Sequence, residues 1–197
     1  RWKFLVHKIA TFHTKQRCHT LKKNYDIMKL DKKERLKFSY MLKILEKLYP
    51  EEQDYYATHR KAIEEGYELH YEWLTEHLYE GLTEAQCREV LDILDMYRGI
   101  IFSFNAIKEP KKITADNVAF PGFDGNNETL QMTYAQYFIQ DLGRYKEIEE
   151  SNGGYFNSHS HTLGRYRAML QKWNSLDQDV KYKMSEETLL DLVKTIG

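Results

Sequence analysis

The chain has 197 residues, 42% hydrophobic and 30% charged, which describes a globular protein long enough to bury a real core. Only three prolines and ten glycines accompany abundant Leu, Glu, Lys and Tyr, favouring helices over a many-turned β fold, and no apolar run approaches the ~18 residues that would span a bilayer. The net charge of −1 conceals an asymmetry: residues 1–27 carry seven basic side chains against one acid, leaving 22 basic and 29 acidic residues in the remainder, so non-specific nucleic-acid binding by residues 28–197 is disfavoured.

In residues 1–27, Trp2, Leu5, Ile9 and Phe12 fall on one side of a possible helix with lysines on the other. Such an arm suits a membrane surface or a nucleic acid. Competing readings are a helix docked on the main body and upstream sequence read in frame, since Met28-Lys29-Leu30-Asp31 looks like a natural start. Phe4-Leu5-Val6 is too short for a signal-peptide core. His13, Cys18 and His19 lack zinc-finger spacing. The two cysteines, Cys18 and Cys87, form no CxxC, which fits a reducing cytoplasm and no disulfide framework.

Asp31 with Glu34 has the spacing of a capping box, and Leu36, Tyr40, Met41, Ile44, Leu45 and Leu48 then form an apolar face over about five turns. Pro50, Glu51 and Glu52 open a second helix, with Tyr55, His59, Ala62 and Ile63 as its stripe and Gly66 as its stop. Tyr67, Tyr71, Leu74 and Leu78 keep helical spacing up to Gly81. His70 and His77 share a face there, but without an HExxH arrangement they read as rim residues, not metal ligands.

Thr83 and Gln86 then cap a helix over 83–107 in which Cys87, Val90, Leu94, Tyr97, Ile101 and Phe104 are joined by Leu91, Ile93, Met96, Ile100 and Ile107, making it apolar nearly all round. Such a helix is normally buried on several sides. Its one polar strip is Glu84, Arg88, Asp92 and Asp95, with Arg98 at the edge. This is either a seam of compensating surface charge or a groove in which Arg88 and Arg98 orient an anion and Asp92 or Asp95 handles a proton or a metal. About twenty residues without a period follow, containing Phe120-Pro121-Gly122-Phe123-Asp124-Gly125. The two phenylalanines suggest a plug across the core, with a binding loop as the alternative. A helix is expected from Glu128 to Ile148, then a polar loop with His159 and His161, a helix capped by Thr162 and a last one capped by Ser185 that presents Leu189, Leu190, Val193 and Ile196. The expectation is an all-α, multihelical bundle of six or seven helices around the buried central helix.

Cys87-Arg88, Asp92-Ile93, Asp95-Met96-Tyr97, Phe120, Gly122-Phe123-Asp124, Gly143-Arg144-Tyr145, Phe156-Asn157, Tyr166, Met169-Leu170 and Trp173-Asn174 together resemble the YfbU-like family of small bacterial proteins. The resemblance runs from about Met28 to the C-terminus and implies one cytoplasmic, all-helical domain. It carries over no reaction, cofactor, metal or catalytic set. The basic extension before Met28 and the His159-Ser160-His161 triplet depart from the family pattern.

The sequence has no GxSxG, no phosphate-cradling glycine loop and no HExxH. About 21 residues of helix between Glu128 and Ile148 would span roughly 31 Å, placing the His159/His161 loop and the Phe120–Asp124 loop at opposite ends of the bundle. Two separate partner-binding sets follow. One comprises His159, His161, Glu84 and Arg88; the other comprises Phe120, Phe123 and Asp124, and Asp92 and Asp95 lie on the strip between. The first functional reading is a protein-interaction or regulatory module acting through a partner protein or self-association. The second is a hydrolase using the charged strip, and the third a nucleic-acid-binding protein using residues 1–27.

Overall fold

The computed structural model describes residues 28–195. The readings made for residues 1–27, and the placement of Ile196, lie outside them. The chain divides into two compact units, Arg1–Tyr79 and Glu80–Gly197. The described residues are all-α, and the only pairing of strand type among them is an isolated bridge between Phe123 and Asn157.

In the first unit, α1 (Lys32–Leu48) begins at a complete capping box in which Asp31 accepts from the Lys33 and Glu34 amides and Glu34 accepts from the Asp31 amide. A 3₁₀ turn at Pro50–Glu52 leads into α2 (Gln53–Glu65), which packs against α1. Gly66, at φ 77°, ends α2, and the Arg35 guanidinium donates to the carbonyls of Ile63 and Glu64 at 2.7 and 2.6 Å. The seam between the helices is largely polar. Arg60 pairs with Glu46 at 2.6 Å and with Glu64 at 2.9 Å, and Glu64 also accepts from Ser39. Leu42, Ile63 and Tyr71 form a small core beneath it.

This seam corrects the expected face of α1. Ser39, Leu42 and Glu46 are buried, whereas Leu36, Tyr40, Met41, Ile44 and Leu48 are each more than half exposed. The polar clasp orients α1 by its charged edge, turning the apolar ridge away from α2. Leu42→Ala is expected to cost about 3 kcal/mol of stability, whereas Ile44→Ala in dilute solution costs less than about 0.5 kcal/mol. Urea denaturation of the two variants checks this. Residues 67–80 also differ from expectation, forming a 3₁₀ segment, Glu68–Leu74, followed by turns. Only Tyr71 is buried there, so little tertiary packing favours the longer α-helical turn.

The second unit is built on α3 (Glu84–Ala106), whose box between Thr83 and Gln86 is formed as expected. Val90, Ile93, Leu94, Met96, Tyr97 and Ile100 are at most 1% exposed. Around α3 pack α4 (Ala115–Val118), α5 (Thr129–Gln136), α6 (Lys146–Asn152), α7 (Leu163–Asn174), α8 (Gln178–Lys181) and α9 (Glu186–Val193). Gly99 permits a close approach to α3: a Cβ there would strike the Trp173 ring and lie 2.6 Å from the Lys181 carbonyl oxygen.

The expected Glu128–Ile148 helix is broken. After α5 the chain makes one π turn, Tyr137–Asp141, and reverses through Gly143 at φ 65° and Tyr145 at φ 46°. A left-handed tyrosine is strained. Here its ring is held against Phe138 at 5.2 Å and the Arg98 guanidinium at 4.4 Å. The reversal sends α6 back along α3, so the loops before α5 and after α6 meet.

Candidate functional site

The Phe120–Asp124 and Phe156–His161 loops are therefore neighbours, not opposite ends of a bundle. The Phe123 amide donates to the Phe156 carbonyl at 2.9 Å, the Ser158 amide to the Phe123 carbonyl at 3.0 Å, and the Gly125 amide to Asn157 Oδ1 at 3.0 Å. Phe120 is 1% exposed and Phe123 0%. They join Tyr97, Phe156 and Tyr166 in an aromatic cluster with centroid separations of 5.0–6.4 Å. The phenylalanines are thus the plug, and their rings offer a partner no surface. Burial pushes Tyr97 up to about 12 and raises Tyr166 well above its ordinary value. Both phenols stay neutral at physiological pH, and Tyr166 donates to the Gly122 carbonyl at 2.6 Å.

At the loop junction Glu128 accepts from the Thr162 amide and the Leu163 amide at 2.9 Å each, the Thr162 hydroxyl at 2.7 Å and the Asp124 amide at 3.0 Å. Burial pushes the Glu128 carboxyl up, but these donors outweigh it and hold the group below its ordinary value. Asp124 is lowered by the Asn127 side-chain amide at 2.6 Å and the Asn126 backbone amide at 3.0 Å. The His161 ring lies 3.9 Å from Asp124 and 4.0 Å from Glu128, with its side chain 73% exposed. The two predicted sets thus mix here: His161 faces Asp124, and among the described residues no hydrogen bond or ion pair joins either histidine to Glu84 or Arg88. His159, at φ 54°, lies 2.6 Å from the Tyr155 hydroxyl through Nε2. No group of three or more His, Cys, Asp or Glu side chains among the described residues is disposed to hold a metal ion. With its acceptors occupied by main-chain and hydroxyl donors, the junction is chemically a clasp.

The charged strip divides in two. Glu84 and Arg88 pair with each other at 2.6 Å on an open surface. Partial burial, and then the neighbouring Asp95, raise the Asp92 carboxyl. Asp95 accepts from the Tyr182 hydroxyl at 2.8 Å, while Arg98 pairs with Glu147 at 2.7 Å. The C-terminal half of the strip therefore ties α3 to α6 and to the segment after α8. The side-chain hydroxyls that converge on it are those of Tyr182 and Tyr145, both donating to Asp95.

The feature missing from the predicted sets lies in the first unit. Of the 18 large hydrophobic side chains exposed among the described residues, 12 fall between Leu36 and Tyr79, a stretch of less than a third of those residues. On α1, Leu36, Tyr40, Ile44 and Leu48 form a ridge at i, i+4, i+8 and i+12. The sequence does carry a signal for it: at about 100° per residue, Lys33 and Lys37 project into the same arc as Tyr40 and Ile44, so this face is half charged. A second exposed stretch is Tyr67–Tyr79, where Leu69 is 81%, Leu78 73% and Tyr79 77% exposed.

Comparison with known proteins places these features in a family. The YfbU domain matches residues 28–195, across both units. The chain is also 33% identical over 169 residues to the UPF0304 protein MJECS11 of Methanocaldococcus jannaschii, covering 83% of this chain and 98% of that protein. Family and relative carry no established molecular activity. The chain belongs to the YfbU family.

Proposed function

We propose that this chain is a cytoplasmic protein-interaction module of bacterial type, a single YfbU domain whose contact surface lies on residues 36–79. The observation that carries the reading is the concentration of exposed apolar side chains there. Contiguous apolar patches beyond a few hundred Å² mark interaction sites. Tyrosines and a tryptophan contribute, and these side chains combine apolar area with a polar tip. No helix among the described residues is long and apolar enough to cross a membrane, and the free Cys87 thiol suits a reducing compartment.

The test is site-specific photo-crosslinking in cells. A photoreactive side chain at Ile44, on the ridge, is expected to trap a discrete protein adduct, while one at Lys61, exposed on α2, traps none. Equal labelling from both positions, or none from either, overturns the reading.

A further inference from the structure

Resting on the interaction-module reading, we infer that the occupant of the α1 ridge is a second copy of this chain, which docks its own acidic Tyr67–Tyr79 segment there. Charge is the first reason. The ridge is flanked by the exposed side chains of Lys33, Lys37 and Lys47. The Tyr67–Tyr79 segment carries its exposed apolar groups among Glu68, Glu72 and Glu76, all at the surface. One chain thus bears both halves of a complementary pair: a lysine-flanked apolar ridge and a glutamate-flanked apolar strap. Opposed charge fixes partner and register where apolar contact supplies area.

The two features are also similar in length. The twelve residue steps of α-helix from Leu36 to Leu48 rise about 18 Å, and the six steps of the 3₁₀ segment about 12 Å before the turns extend it. Both pack on α2, from the same unit. In an isologous dimer each copy then offers a ridge and receives one, so the contact is made twice and closes. At on the order of 80 Å² of apolar area for each half-exposed large side chain, the ten exposed groups on α1 and in the Tyr67–Tyr79 segment supply roughly 800 Å² per copy. A stable interface takes about 800 Å² from each partner.

The same charges argue against other occupants. Residues 1–27 carry seven basic side chains and one acid, the same sign as the flanks of the ridge. An anionic membrane would be attracted by the lysines but repelled by the neighbouring glutamates of the strap.

The test uses the full 197-residue chain in sedimentation equilibrium across a wide dilution series. Wild type is expected to dimerise reversibly. K37E/K47E and E68K/E72K should each weaken dimerisation at least about ten-fold by placing like charges opposite one another. Mixed in equal amounts they should recover it, because an acidic ridge then meets a basic strap and a basic ridge an acidic one. That recovery cannot come from misfolded chains. A monomeric wild type, or a dimer indifferent to both charge pairs, overturns the inference. A synthetic helical peptide with a leucine ridge and glutamate flanks separates this failure from failure of the module reading. If a monomeric chain binds the peptide and Ile44→Asp abolishes binding, the second copy is wrong and the module reading stands; if it neither dimerises nor binds, both fall. Ile44-dependent binding of a monomer to phosphatidylglycerol vesicles also overturns the inference.

Discussion

Gly122→Ala is expected to lower the unfolding free energy by about 4 kcal/mol, a large share of the roughly 5–15 kcal/mol that a domain possesses. Two effects add. At φ +89° the backbone is in the region that side chains rarely adopt, which costs on the order of 1–2 kcal/mol. The new Cβ would also overlap the backbone carbonyl of Phe156. Relief by movement is blocked, because that carbonyl is bonded to the Phe123 amide and the Gly122 carbonyl receives the Tyr166 hydroxyl at 2.6 Å. Gly143→Ala is the control. Gly143 also has positive φ, at +65°, but a Cβ added there would meet no atom within 4 Å, so only the strain of about 1 kcal/mol is expected. Urea unfolding with an unchanged m-value makes the comparison. Equal losses at the two positions would show that the two loops are not held in close register.

Glu128→Gln is expected to be the next most damaging change, at about 3 kcal/mol, since an amide presents its own N–H groups where four donors converge. Its signature is in the pH dependence. The folded-state pKa of Glu128 is lowered from 4.5, so its contribution is fully present above the unfolded value and disappears as pH falls through the lower folded value. The stability gap between wild type and Glu128→Gln should therefore be constant at neutral pH and narrow progressively below about pH 4.5. Chemical denaturation at successive pH values measures this. A gap that stays constant into acid would show that the carboxylate is not the clasp.

Glu128 also illustrates what can be read from a sequence. Its type and position are visible there, and with Asp124 it resembles the beginning of a metal site. Nothing local indicates that Thr162 and Leu163, 34 and 35 residues away, consume its acceptors. The decisive difference is mechanical: a continuous helix from Glu128 to Ile148 would hold the two loops apart, and the helix is not continuous. Gly143-Arg144-Tyr145 reverses the chain because Arg98, Phe138 and Asp95 of the surrounding structure engage Tyr145 in a conformation that tyrosine would not choose alone. That compensation is tertiary, so no local propensity reports it.

α1 shows the converse. Its helix, cap and extent are evident from Asp31, Glu34 and the apolar spacing. Which face it buries is not, because the Arg60–Glu46–Glu64–Ser39 network draws a polar edge inward. By itself the sequence determined the all-α class, the central helix with its cap and the family, since these rest on local hydrogen bonding, hydrophobic periodicity and residue pattern, whereas for Phe120 and Phe123 it left a plug and a binding loop both open. Tertiary structure alone decided that the two loops meet, that the acids beside them are occupied, and that an apolar ridge is left facing solvent. Each of those depends on which distant groups satisfy one another, a pairing that spacing along one chain does not encode.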